Sequence, residues 1–264
     1  MNATWRGWVG LAPGRIYYRG EIGAAGTHSH HAVQLLVARD TVLVLRGADG
    51  IDHSCRAALI PANTAHAVVQ GAADGLLALI DPVSSLGRLL NRGESGSASA
   101  ARWRLDPHPP PPAGDVSSAE AIDAVIRSVV RGEIPTARPR HAAVAEAVDL
   151  VPTLLPGRVG LGEVARAVHL SESRLSHLFR QELGLPFRAY VRWERLRAAL
   201  LLLSSGGSLT QAAHEAGFAD SSHLTRVFRS MFGLAPSELL RGVRWEGQQV
   251  RPSLGRGAGE SWMS

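Results

Sequence analysis

The sequence predicts two domains of different class, an all-β barrel or sandwich followed by an all-α unit with two helix-turn-helix motifs. Three observations carry the prediction. Short runs rich in Val, Leu and Ile alternate with turn residues between Arg15 and Asp81. A Gly-, Ser- and Pro-rich stretch then interrupts the chain after Arg92. From Leu161 onward, apolar residues fall at helical spacing in two blocks that superimpose at offsets of 48 and 49 residues.

The chain has 264 residues, 45% of them apolar, enough for packed cores in two domains. All 28 basic residues are arginine. A coding bias toward G and C explains that preference, and so does selection for planar guanidinium contacts to phosphates and base edges. The charge is uneven: residues 138 to 264 carry 16 Arg against 11 acids, a surplus equal to the +5 of the whole chain. Cys55 is the only cysteine, so an internal disulfide is excluded, and it reads as a small apolar filler. The N-terminus lacks the apolar core of a signal peptide, and the longest apolar run, Ala198 to Leu203, falls far short of a membrane span. A cytoplasmic protein with no membrane partner is expected.

In the N-terminal half, strands are expected at Arg15 to Tyr18, Ala32 to Ala38, Thr41 to Arg46, Ala57 to Ile60, Ala65 to Gln70 and Gly75 to Ile80. Ala48-Asp49-Gly50 and Pro61-Ala62-Asn63 are turns, since Gly and Asn tolerate positive φ and Pro presets its own. Two polar clusters interrupt the apolar pattern: His28-Ser29-His30 followed by Gln34, and Pro61-Ala62-Asn63-Thr64-Ala65-His66 followed by Gln70. Histidines two apart on a strand share a face, so both can reach one point. The layout resembles the two motifs of the cupin barrel, in which two His, a Glu and a third His surround a divalent metal. Gln34 stands where that carboxylate is expected, which weakens the donor set. Three readings stay open: a metal on His28, His30 and His66 with Gln34 as weak ligand; a metal-free pocket for a small effector; and structural or solvated histidines. His31 and His53 read as surface residues.

Four consecutive prolines, Pro109 to Pro112, mark an extended connector. Beyond it, Ala119 to Val130 carries a helical stripe of Ile122, Val125, Ile126, Val129 and Val130, suited to a dimer contact or strut, or to packing on its own barrel.

The C-terminal half opens with a helix over Ala142 to Leu155. Helices at Leu161 to Ala167 and Glu172 to Leu183 form the first helix-turn-helix, with Ser171 as N-cap. Pro186 to Leu203 is a long uninterrupted helix. The second motif follows, with Leu209, Ala212, Ala213 and Ala216 before the Gly217 turn and Leu224, Val227, Phe228 and Met231 after it. Leu161, Ala165 and Leu170 match Leu209, Ala213 and Phe218 at 48, and Leu175, Phe179 and Gly184 match Leu224, Phe228 and Gly233 at 49, so the second turn is one residue longer. Ser222, Thr225, Arg226 and Arg229 stack opposite Phe228, and Ser173, Ser176, His177 and Arg180 correspond to them in the first copy. The 18-residue spacer would span about 27 Å, close to the ~34 Å repeat of the major groove on one DNA face. Arg188, Arg192, Arg195 and Arg197 lie on and around it for phosphates, while Tyr190 and Trp193 read as core.

Residues 139 to 241 resemble the DNA-binding domain of the AraC/XylS transcription regulators. The resemblance is carried by Ala213, Ala216-Gly217-Phe218, Ser222, Leu224, Arg226, Phe228, Gly233, Pro236 and Ser237, with Leu175, Phe179 and Gly184 in the first unit. It implies seven helices, two of them reading major grooves, and a barrel that senses a ligand and dimerises. Base contacts would fall on Ser173, Ser176, His177, Ser221, Ser222, Thr225 and Arg226, and phosphate contacts on Arg180, Arg192 and Arg229. The family's aromatic before the last Arg is absent, since Leu239-Leu240 precede Arg241. The expected division is 1–92 for a cupin-like effector and dimerisation domain, 93–137 for connector and linker helix, 138–243 for DNA binding, and 244–264 for a flexible tail. The expected function is sequence-specific regulation from promoter DNA by a homodimer, nucleoid-associated and contacting RNA polymerase if it activates, under control of a small molecule or a divalent metal. A metal-dependent cupin enzyme fused to a DNA-binding module is the alternative, disfavoured by Gln34 and by the lack of any other catalytic constellation.

Overall fold

The computed structural model describes residues 5–12, 14–91, 99–106, 118–130 and 141–245. The strands are β1 (Arg6–Ala12), β2 (Arg15–Ile22), β3 (Ala25–His28), β4 (Val33–Ala38), β5 (Leu43–Arg46), β6 (Asp52–Cys55), β7 (Ala57–Ile60), β8 (His66–Gln70), β9 (Ala72–Ile80) and β10 (Val243–Trp245). The α-helices are α1 (Ser85–Leu90), α2 (Ser118–Val130), α3 (Ala142–Thr153), α4 (Leu161–Ala167), α5 (Glu172–Leu183), α6 (Phe187–Ser204), α7 (Leu209–Glu215), α8 (Ser221–Phe232) and α9 (Pro236–Gly242). A 3-10 turn over Ala100–Trp103 lies in the connector. The N-terminal part is thus all-β and the C-terminal part all-α, with seven helices among the described residues of 142–242.

The strands form a six-stranded sheet in the order β10-β1-β2-β9-β4-β7 and a four-stranded sheet in the order β3-β8-β5-β6. β4 is buried along its whole length, so its Val33-Gln34-Leu35-Leu36-Val37-Ala38 run shows no alternation. Alternate residues of the large sheet serve two cores. Ile16, Tyr18, Leu36, Leu77 and Leu79 face the barrel interior, while Tyr17, Leu35, Val37, Leu76 and Ala78 face outward. Ala121, Ile122, Val125 and Ile126 of α2 cover the outward side, and Asp123 takes a 2.6 Å contact from Arg15. Packing on its own barrel is therefore the role of this helix within the chain.

Several expectations need correction. β1, β3 and β6 lie outside the predicted set, because Arg6–Ala12 mixes Gly and Trp with aliphatics and the four-residue β3 and β6 are too short for periodicity. The connector is not all spacer: Trp103 is buried and Arg104 bridges to Ala58. Arg244 and Trp245, placed in the tail, pair with Trp8 and Val9 in a parallel strand. The rest of the tail and the four prolines lie outside the described residues.

The helical half has two cores. One gathers α3, α4, α5 and the first part of α6 around Val164, Leu175, Phe179, Phe187 and Tyr190. The other joins the later part of α6, α7 and α8 to the barrel interior, so that Trp193, Leu200, Phe218 and Phe228 share a core with Trp5, Tyr18 and Leu79. The second helix-turn-helix is therefore packed onto the barrel interior, whereas the core of the first takes in from the N-terminal half only Val83, just after β9, among the described residues.

Candidate functional site

The two helix-turn-helix units repeat down to their hydrogen bonds. In the first turn the amide of Leu170 donates to the Ala165 carbonyl at 2.8 Å, and in the second Phe218 donates to Ala213 at 2.9 Å. His169 and Gly217, 48 apart, both hold the left-handed conformation, with φ of 57° and 80°. Four residues separate α4 from α5 and five separate α7 from α8, as the growing offset requires. Each second helix begins on a side-chain cap, Ser171 accepting from the Arg174 amide and Asp220 from the His223 amide. Each ends on a left-handed glycine, Gly184 or Gly233.

The caps hold the polar faces clear of the cores. Ser173, His177 and Arg180 on α5, and Ser222, Arg226 and Arg229 on α8, are exposed, while Ser176, Ser221 and Thr225 are half-buried on the same faces. Thr225 Oγ1 donates to the Ser221 carbonyl at 2.8 Å, which leaves its lone pairs outward. Such a helix end, with small polar groups and a guanidinium, suits base edges in a major groove. The spacer arginines divide. Arg188 and Arg192 are exposed, but Arg195 donates to the Gly157 carbonyl and Arg197 to Glu194. The last two are held by their own domain.

The barrel brings His28, His30, Gln34 and His66 together, all nine-tenths or more buried. His28 and His66 are register partners on β3 and β8, and their rings lie 4.2 Å apart. His30 sits just past β3 rather than on it, so convergence comes from the loop and not from the strand pleat alone. Trp103 packs edge-on to His66. Gln70 is exposed and takes no part. His31, expected at the surface, is buried with Nδ1 3.4 Å from Asn63 Oδ1, and burial pushes its pKa down to about 4. Asn63 at φ 60° turns the loop back so that its amide reaches the His30 carbonyl.

Each ring of the cluster is fixed by a backbone carbonyl. Nδ1 of His28 donates to Gly26 at 2.7 Å, that of His30 to Ala32 at 2.9 Å, and that of His66 to Thr64 at 2.8 Å. A carbonyl only accepts, so each Nδ1 carries the proton. Burial, reinforced in His28 by His30 and in His66 by both neighbours, lowers all three pKa values, His28 to about 4, and keeps the rings neutral. Their Nε2 atoms are then lone-pair donors. Two of them face Gln34 Oε1, another lone-pair donor, at 2.8 and 2.7 Å. Turning the amide over would place its N–H groups toward these two nitrogens. The three histidines offer ligand atoms within 4.8 Å of one another, and the carbonyl bonds behind them are the supports that orient metal-ligating imidazoles. The residues fit a divalent ion of the imidazole-binding class.

One side of the cluster borders an apolar cavity of about 70 Å³ between barrel and helices. His28, His30 and Gln34 stand at one side, with Phe228 and Phe232 of α8 and Trp245 of β10 also in its wall. Nothing in the sequence marked Trp5, Trp245 or Gly26 as parts of this junction, since each acts only through contacts distant in the chain.

Comparison with known proteins agrees with this geometry. Residues 164–242 match the model of a helix-turn-helix domain family. The Arabinose operon regulatory protein of Escherichia coli K12 is 37% identical over 95 residues, 36% of this chain and 32% of that protein. The transcriptional activator RhrA of Rhizobium meliloti is 31% identical over 110 residues, 40% of this chain and 35% of its own length. The helical domain is thus similar in sequence to these regulators. These relatives are regulators by name, not enzymes, and the matches span about a third of their length. For the whole architecture, the crystal structure of ToxT from Vibrio cholerae O395 superposes with a TM-score of 0.52 at 14% identity, covering 86% of this chain and 96% of ToxT. At that identity the likeness concerns the fold alone. Among the described residues no helix is long and apolar enough to cross a membrane.

Proposed function

We propose that this chain is a sequence-specific transcription regulator that reads double-stranded DNA with α5 and α8 in successive major grooves. The observation that carries the reading is the pair of matched, exposed N-terminal helix ends, set at opposite ends of the 18-residue α6. Ser173, Ser176, His177, Ser221, Ser222, Thr225 and Arg226 contact bases, and Arg180, Arg192 and Arg229 contact phosphates. The barrel, residues 1–92, is the effector domain, with His28, His30, Gln34 and His66 as its polar centre. Residues 93–137 connect it to the DNA-binding part at 138–243. The protein acts as a homodimer in the cytoplasm, at the nucleoid, with RNA polymerase as partner where it activates.

Selection of bound duplexes from a random-sequence pool, followed by footprinting, tests the reading. A discrete recovered motif with two protected grooves about one helical turn apart is expected. Uniform coverage without a motif would overturn it in favour of an architectural DNA binder.

A further inference from the structure

The two helix-turn-helix units keep separate apolar cores, and α6 passes from one to the other: Tyr190 and Val191 belong to the first, Trp193 and Leu196 to the second. Just after this change Arg195 leaves α6 sideways, and its Nη2 donates to the Gly157 carbonyl at 3.1 Å. Gly157 lies in the loop between α3 and α4, whose flanks Leu154 and Val159 pack on the first core. The same guanidinium meets the turn of the second unit. A Cβ on Gly217 would strike the Pro156 carbonyl and stand 3.2 Å from Arg195 Nε, which is itself buried. Ala216 and Phe218, on either side of Gly217, are buried in the second core. Arg195 is thus wedged where a loop anchored to one core touches a turn anchored to the other. His169, the counterpart of Gly217 in the first unit, holds the left-handed conformation with a side chain. Glycine at 217 therefore answers to the close approach of Pro156 and not to φ alone.

We infer that Arg195 is a positioning residue for DNA reading: by clamping the Pro156-Gly157 loop to the Gly217 turn it fixes the angle between α5 and α8, and with it the number of base pairs allowed between the two half-sites. The cores share no residue, and Val83 is the barrel's contribution to the first of them among the described residues. Apolar packing between the units therefore does not set that angle, and a charge-assisted bond to a backbone carbonyl does. Each base pair adds about 3.4 Å and roughly a tenth of a turn between half-sites. A rigid pair of units accepts one spacing; a loosened pair accepts several. The inference rests on the DNA-binding reading above, and gives Arg195 a task other than holding phosphates.

The test compares two variants of the full-length chain: Arg195→Met, which keeps the reach of the side chain but removes the donor, and Arg195→Lys, which keeps a donor. Each is titrated with the selected duplex and with one carrying a single extra base pair between the protected grooves. The ratio of the two Kd values is expected to fall at least about fivefold in Arg195→Met, the scale of one hydrogen bond, and to stay within about twofold of wild type in Arg195→Lys. Spin labels at Gln181→Cys and Thr210→Cys, exposed positions of α5 and α7, report the same change without DNA in a Cys55→Ala chain. Their distance distribution broadens in Arg195→Met and not in Arg195→Lys. Arg195→Gln, too short to reach Gly157, replaces Arg195→Met should that variant not fold. An unchanged Kd ratio in Arg195→Met, with any weakening spread evenly over both duplexes, overturns the inference. A loss in Arg195→Lys as large as in Arg195→Met overturns the role of the Gly157 bond. If no duplex is selected at all, the DNA reading falls, and the labels decide the clamp: broadening in Arg195→Met upholds it and an unaltered distribution overturns it.

Discussion

The Gly26 amide and the Gly233 carbonyl meet at 3.2 Å, joining a barrel edge strand to the end of a DNA-reading helix. Gly184, the counterpart of Gly233 in the first unit, has nearly the same φ, 71° against 70°, and nothing near the place a Cβ would take. The two glycines thus differ in surroundings while sharing a backbone conformation.

Gly184→Ala is expected to cost about 1–2 kcal/mol, the penalty of a left-handed Ala. Gly233→Ala should cost at least about 1 kcal/mol more, because its Cβ must push the Gly26 carbonyl away. Urea unfolding of both variants measures the difference. Equal losses would mean that the barrel edge yields freely.

Arg226 is exposed on the N-terminal half of α8. Arg226→Ala should weaken the selected site by ~1–3 kcal/mol and relax the preference at a single base position, because a guanidinium can bond guanine O6 and N7 together. Equal weakening on random DNA would make it a phosphate contact.

The spacer arginines give a contrast in salt dependence. Arg192→Ala should lower the slope of log affinity against log salt by about 1. Arg195→Ala should leave that slope unchanged, since its guanidinium is held by the Gly157 carbonyl. Titrations of the duplex at several salt concentrations distinguish the two; a matching drop for Arg195→Ala would show that it leaves Gly157 for DNA.

Phe228 is fully buried in the core that the barrel and second unit share, with its ring 4.5 Å from that of Phe232. Phe228→Ala should destabilise the fold by ~3–5 kcal/mol through lost core volume. Hydrogen exchange should show faster opening of barrel strands as well as of α8. A variant as stable as the wild type would contradict the shared core.

Glu194 on α6 is buried, and burial raises its pKa above the ordinary carboxylate range despite the opposing pull of Arg197. A raised acid binds its proton more tightly when folded. Its contribution is therefore full below the unfolded pKa and is lost as pH rises through the folded value. Glu194→Gln should accordingly gain stability relative to wild type as pH rises above the ordinary carboxylate range. Melting temperatures over that rise check the sign, and a gap that does not widen with pH would refute it.

Much of the fold and of the reading surface was legible in the sequence because its determinants are local. Apolar residues three and four apart, Ser171 before α5 and the glycines at 184, 217 and 233 fix helices, caps and turns over a few residues, and so the two copies align residue by residue on either side of the turn. The exposed faces carrying Ser173, His177, Ser222 and Arg226 follow from the same periodicity. The histidine motifs were visible too, as spacing, but spacing alone left metal, pocket and structural roles open. What the sequence by itself determined was the order of domain classes, the doubled helix-turn-helix and the residues on its polar faces. Only the tertiary structure decided that the two units belong to different cores, that β10 returns to β1, that His31 is buried, and that Gly26 links His28 to Gly233. Those features depend on contacts between residues far apart in the chain, where no periodic signal exists, and on backbone groups whose donors and acceptors are the same in every sequence.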